Sequence, residues 1–263
     1  MPQRYVHVVV NSFFSWAGNI YDLLILTYVY EELAKELGAG INVSTTVVGL
    51  GLVARVLGGY LLGRVADTYG RKPVLIVSTL GYSLAQAGIA FAQDVAQLFV
   101  FRGVQGFFMG GHWVTATVIA YEASPPKMRG TVNGIVQAGY GVGYALTGLA
   151  YLVLPPSEWR LLLLTGSLPA LLVPYMLWAI PKESDVMTRG QGERKPLDPS
   201  VKKEVVRASL VISGMFASYY SIFAIFNEDA LVHGVSKETI GLALLTSNLA
   251  LAVSFIVYGR LSE

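Results

Sequence analysis

The 263-residue sequence contains no cysteine, so no disulfide framework holds its fold. Charge is scarce as well: Asp, Glu, Lys and Arg make up 14% of the chain, against roughly 25% in ordinary globular proteins. The formal net charge is only +2. That balance excludes a disordered polyelectrolyte tail and a basic arm for binding nucleic acid. No metal-ligand cluster, nucleophile triad or phosphate-cradling loop is legible, which points away from an enzyme and from a metal or organic cofactor. Apolar residues, by contrast, are abundant. They form 54% of the sequence at a mean hydropathy of +0.54, more than a single water-soluble core accommodates. The composition implies a chain that crosses a lipid bilayer several times.

Apolar runs near twenty residues long, bounded by charge, Pro or Gly, mark spanning helices, because backbone groups in lipid must bond within their own segment. Eight are legible: Val6 to Glu31, Thr45 to Gly63, Val74 to Ala92, Ala96 to Tyr121, Thr131 to Leu154, Leu161 to Ile180, Val205 to Phe226 and Thr239 to Gly259. The first is not a cleavable leader, since it contains Asn11, Asn19 and Asp22 and lacks a small-residue cleavage site. Fourteen of the nineteen Lys and Arg residues fall on one side of this topology, which makes that side cytoplasmic. Both termini are expected there, in a multi-pass protein of the cell membrane. The longest polar connector, 181–204, separates a six-helix half at 1–180 from two further helices at 205–263. Across that divide, Gly63-Arg64-Val65-Ala66-Asp67 is echoed 196 residues later by Gly259-Arg260-Leu261-Ser262-Glu263. Each copy ends the second helix of its half. The repeat predicts a complete amino-terminal bundle joined to the first two helices of a partner bundle, truncated after the eighth helix.

The first copy continues as Thr68-Tyr69-Gly70-Arg71-Lys72, with Pro73 opening the next helix. Gly63 permits close helix approach, Gly70 a tight reversal, Asp67 a cap or ion pair, and Arg71 and Lys72 hold the loop at the cytoplasmic surface. In the fourth helix Arg102-Gly103-Val104-Gln105-Gly106 leads to Gly110 and Gly111, and the spacing of Gly106 and Gly110 suits close packing around Arg102. Glu122, Pro126, Arg129 and Gly130 follow, with Glu122 placed to clamp Arg71. These motifs together resemble the loop and helix signatures of the major facilitator superfamily, over most of the first six helices. The resemblance implies an all-α membrane fold of that type. Trp16, Asn19-Ile20-Tyr21-Asp22, the run from Glu32 to Gly38, and Arg55 further resemble the proton-coupled carboxylate symporters, the sialate and lactate carriers among them. Those carriers usually show an acid where Asn19 stands, and more polar groups where this chain has Ser218-Tyr219-Tyr220-Ser221.

Ionisable groups at bilayer depth are costly and therefore candidates for function. Asp22 shares one helical stripe with Asn11, Ser15 and Asn19 and is the candidate proton acceptor and donor; its alternative is an outward-facing carboxylate or one paired with an arginine. Arg55 is eleventh of the nineteen residues from Thr45 to Gly63, near the midplane, where it either grips a solute carboxylate or pairs with Asp22. Arg102 reads as an anchor whose long stem carries its charge to water. His112, Gln137, Tyr140 and Tyr220 complete the candidate solute-binding set with Asn19 and Arg55. The expected function is secondary transport of a small organic solute, an organic carboxylate first of all, by proton symport with alternating access. A proton-coupled sugar or aromatic-acid carrier, or a truncated membrane protein that does not transport, are the alternatives. The partners are then solute, proton and lipid, with oligomeric state left open.

Overall fold

The computed structural model describes residues 2–38, 40–154, 156–181 and 198–263, and among these it is helical, with no strand. The chain runs through α1 (Pro2–Ile25), α2 (Tyr30–Glu36), α3 (Ile41–Tyr69), α4 (Arg71–Ala90), α5 (Val95–Ala123), α6 (Arg129–Val153), α7 (Trp159–Thr165), α8 (Val173–Ala179), α9 (Pro199–Val232) and α10 (Lys237–Leu261). Residues Met1–Val186 with Ser247–Glu263 form one compact unit, and Met187–Thr246 form a second. Among the described residues, four stretches are long and apolar enough to cross a membrane: Tyr5–Tyr28, Thr46–Tyr69, Arg71–Ala90 and Trp159–Ala179.

Four of the eight predicted spans differ in extent or shape. The first ends at Ile25, where the chain tightens into a 3-10 turn, Leu26–Tyr28, before the separate helix α2. The second continues as helix to Tyr69, so Gly63 and Asp67 lie on α3 and the turn is at Gly70. The sixth is not one helix. A 3-10 stretch, Leu168–Leu172, separates α7 from α8, with Pro169 and Pro174 at the starts of the 3-10 stretch and of α8, where their missing N–H groups cost least. The seventh starts earlier than predicted, inside the polar connector, because Asp198 caps it by accepting from Ser200 N at 2.8 Å and Pro199 takes the first helical position. The rest of that connector, with Lys182, Arg189, Arg194 and Lys195, lies outside the described residues.

Lipid removes the hydrophobic drive between helices, so close approach depends on small residues. Helix α5 lies against α3 and α4, and its glycines set the distance to α3. A methyl on Gly110 would lie 2.6 Å from Gly59 N, and one on Gly58 would lie 2.8 Å from Phe107 Cα. Gly63 plays no such part, since a methyl there would meet Val114 at an ordinary 3.6 Å. Along α1, α6 approaches through Gly139 and Gly143, whose added methyls would meet Phe13 O at 2.8 Å and Ala17 O at 2.6 Å.

The first unit is layered along the helix axes. One apolar cluster gathers Ile25, Leu26, Val29, Leu33, Ile89, Leu98, Leu162 and Leu163. Another, toward the opposite end, gathers Val8, Leu75, Ala116, Ile119, Met176 and Ile180. Helices α1, α4 and α5 each contribute to both clusters, and on each the buried polar residues fall between: Asn11 to Asp22, Ser78 to Gln86, and Arg102 to Thr115. The result is a polar layer sealed at both ends by hydrocarbon.

Candidate functional site

Asp22 has no solvent exposure, and neither do Asn11, Ser15 and Asn19 on its stripe of α1. Its Oδ1 accepts from Gln105 Nε2 at 3.0 Å, while Oδ2 has no hydrogen-bond partner among the described residues. Gln105 also donates to Gln86 Oε1 at 2.6 Å, and Gln86 Nε2 donates to the carbonyl of Leu163 at 3.1 Å. Arg102 completes the chain by donating from Nη1 to Gln105 Oε1 at 2.5 Å. The direction of every amide in this network is fixed. A guanidinium can only donate and a carbonyl can only accept, so Gln105 turns its oxygen to Arg102 and its NH2 to Asp22 and Gln86.

Arg102 therefore does not reach water as predicted; it is 1% exposed. Its stem points into the polar layer because Gln105, one turn on, supplies an acceptor there. The positive charge stands one neutral amide away from Asp22 rather than against it.

A second chain begins one turn earlier on α1. Arg55 Nη2 donates to Asn19 Oδ1 at 3.3 Å, and Asn19 Nδ2 lies 3.3 Å from His112 Nδ1. Because Arg55 cannot accept, Asn19 offers its NH2 to His112, whose Nδ1 accepts and whose proton lies on Nε2. His112 is fully buried, packs edge-on against Tyr82 at 5.4 Å, and its Nε2 has no partner among the described residues. Arg55 Cζ stands 5.6 Å from the Trp16 ring and 5.8 Å from that of Trp113. Beside these chains the hydroxyls of Tyr21 and Thr165 share a short hydrogen bond linking α1 to α7.

Of the other predicted solute contacts, Gln137 and Tyr140 lie one turn apart on α6, Gln137 half-buried and Tyr140 buried with its ring 5.2 Å from that of Tyr144. Tyr220 belongs to α9, and its side chain lies outside the described residues. Sequence reasoning missed the roles of Gln86, Gln105 and Trp113. For Gln86 the signal was an uncharged amide in an apolar helix, costly in lipid unless paired.

The loop motif forms a separate site at the α3–α4 junction. Gly70, at φ 104°, joins the two helices through a single residue, a backbone conformation that side chains resist. Arg71 donates to Glu122 at 2.8 Å and lies 3.6 Å from Asp67, tying α4 to both α3 and α5. Lys72 does more than hold the loop at a surface: its Nζ donates to the carbonyls of Leu177, 2.8 Å, and Ile180, 2.5 Å, closing the exposed end of α8. Arg129 covers the ring of Tyr121 at 4.8 Å. Next to it, a methyl on Gly130 would lie 2.5 Å from Gly259 O, and Glu263 accepts from Thr131 N at 2.9 Å, which holds its carboxyl below the ordinary range. The second copy of the motif thus rests on the start of α6. Toward the opposite end of the unit, Glu36 binds Arg160 at 2.6 Å and Trp159 Nε1 at 2.8 Å, and Arg160 also donates to Ala90 O at 2.6 Å.

Comparison with known proteins agrees with this architecture. The family model described as Major Facilitator Superfamily matches residues 9–263. The niacin transporter NiaP of Acinetobacter baylyi is 30% identical over 168 residues, which cover 64% of this chain and 38% of that protein. A probable 4-methylmuconolactone transporter of Cupriavidus pinatubonensis is 26% identical over 267 residues, 94% of this chain and 61% of that protein. The chain thus spans between about two fifths and three fifths of the length of these relatives. The crystal structure of the human organic anion transporter MFSD10 superposes with a TM-score of 0.70 at 15% identity, covering 97% of this chain and 72% of that one, a likeness of fold. With its polar layer between α1, α4 and α5 and its Gly-hinged basic loop after α3, this multi-pass membrane chain belongs to the major facilitator superfamily.

Proposed function

We propose that the protein is a secondary active transporter that moves a small organic carboxylate together with a proton, exchanging access between the two sides of the membrane. The observation that carries this reading is Asp22: a carboxylate sealed between two apolar clusters, with one oxygen fixed by Gln105 and no partner on the other among the described residues. Protonation at Oδ2 leaves the bond to Oδ1 intact. Asp22 can then load and release a proton without losing its place, the property a coupling group needs.

The proposed solute contacts are Asn19, Arg55 and His112, with Gln137 and Tyr140 of α6 and Tyr220 of α9 as further candidates. Arg55 and His112 Nε2 are donors, which suits a carboxylate better than a sugar, whose hydroxyls ask for acceptors too. Niacin, the substrate in one relative's name, is a ring bearing a carboxylate. Asp67, Gly70, Arg71, Lys72, Glu122 and Arg129 join the helix ends on the side that the excess of Lys and Arg marks as cytoplasmic, the side expected to hold both termini of a cell-membrane protein. The expected division into an amino-terminal bundle at 1–180, a linker and the first helices of a second bundle is kept, with the linker ending at Asp198 because α9 begins at Pro199.

Uptake by proteoliposomes under an imposed inward proton gradient tests the reading. Asp22→Asn should lose gradient-driven uptake by roughly a hundredfold or more, the size of effect general acid–base groups carry, and keep solute counterflow. Equal uptake with and without the gradient in the native chain would remove coupling from the account.

A further inference from the structure

Trp16 of α1 and Trp113 of α5 lie with their ring planes 13° apart and centroids 5.7 Å apart. The guanidinium of Arg55, from α3, stands beside both rings and is tied to Asn19. Three helices therefore converge on one small group. Trp16, Asn19 and His112 are buried, whereas Trp113 and Arg55 are half-buried.

Space filling alone does not account for the pair. The indole N–H of Trp16 is buried and has no acceptor among the described residues, a cost that a leucine or phenylalanine of similar reach would not incur. The N–H, like His112 Nε2, is a buried donor without an acceptor among the described residues, a chemistry suited to an anion. What the two tryptophans add is a flat π surface beside the cation.

We propose that Trp113, backed by Trp16, is a specificity-determining residue that selects solutes whose carboxylate is attached to a flat aromatic ring, the ring lying on the indole while the carboxylate meets Arg55. This rests on the carboxylate reading above and narrows it. An aliphatic carboxylate of equal charge reaches Arg55 but gains nothing from the indole face. A ring held there is also oriented, which fixes the direction from which its carboxylate approaches the guanidinium.

Two probes isolate the effect: benzoate and cyclohexanecarboxylate, alike in charge and close in size, differing in the π face. Equilibrium binding of each radiolabelled acid to the purified chain in lipid nanodiscs should favour benzoate by roughly three- to tenfold, the range that aromatic pairs supply beyond their area. Trp113→Leu should abolish that preference while leaving cyclohexanecarboxylate binding within about twofold, and Trp113→Phe should retain it. Benzoate should also quench indole emission in the native chain, and Trp113→Phe should remove most of that quenching without removing the preference. This second readout stands even where Trp113→Leu does not fold. An unchanged preference in Trp113→Leu, or equal loss of both acids, overturns the proposal and leaves the carboxylate reading in place. Binding of neither acid to the native chain, or binding indifferent to Arg55→Gln, overturns the carboxylate reading itself.

Discussion

Buried and exposed charges in this protein are arranged in opposite ways. In the polar layer, Asp22 and Arg102 are joined through the neutral amide of Gln105, and Arg55 is held by Asn19 and two indole rings. At the loop end, Arg71 bonds Glu122 directly and leans on Asp67, with side chains between 27% and 62% exposed. A direct ion pair in the interior is strong but difficult to open, because separation leaves two uncompensated charges. Near water the same pair opens at little cost. The amide-bridged design keeps opposite charges within reach of one another while leaving the carboxylate free to change its protonation, whereas the loop end uses direct pairs to hold helices together.

Removing the buried cation should show the contrast most strongly. Arg102→Ala strips Gln105 of its donor, leaves a void and unties the amide directions, with an expected stability loss of about 3 kcal/mol, read by thermal unfolding in detergent. Next come two glycines that look alike in sequence. Gly110→Ala forces a methyl against Gly59 N and the Arg55 backbone and should cost about 1–3 kcal/mol, while Gly63→Ala should be nearly neutral in the same assay. Arg71→Ala breaks both exposed ion pairs and should cost only about 0.5 kcal/mol, an effect that shrinks with added salt. A loss for Arg71→Ala as large as for Arg102→Ala would erase the distinction between the two regions.

The smallest effect concerns the tie between α2 and α7. Arg160 and the Trp159 N–H hold the Glu36 carboxyl below its ordinary value of 4.5. A depressed carboxylate contributes stability that is fully present above its unfolded value and is lost as pH falls through the folded one. Hydrogen exchange in α2 should accordingly be unchanged between pH 7 and 5 and rise under more acid conditions, after correction for intrinsic rates. Glu36→Gln should flatten that rise.

Much of this was legible in the chain itself. Hydropathy located the helices, and the Gly, Asp and basic residues from Gly63 to Lys72 located the α3–α4 turn, because both are local signals. The stripe of Asn11, Ser15, Asn19 and Asp22 followed from helical period alone. Destinations of long side chains were not legible. Arg102 could have reached water; it turns inward because Gln105 faces the place where Asp22 and Gln86 meet, and that meeting depends on how α1, α4 and α5 pack. Lys72 was read as surface charge, yet it caps the C-terminal end of α8, where the sixth span closes just before Pro181. The stacking of Trp16 with Trp113 joins residues far apart in sequence, and no spacing rule links them.

The central claim is that a proton exchanges at Asp22 as solute moves. Proteoliposomes loaded with a pH-sensitive dye test it when benzoate is added outside under conditions where passive acid permeation is subtracted with protein-free vesicles. The account requires protein-dependent acidification of the lumen in the native chain and none in Asp22→Asn, although labelled benzoate still exchanges across the membrane of the variant. Equal acidification in both would contradict it.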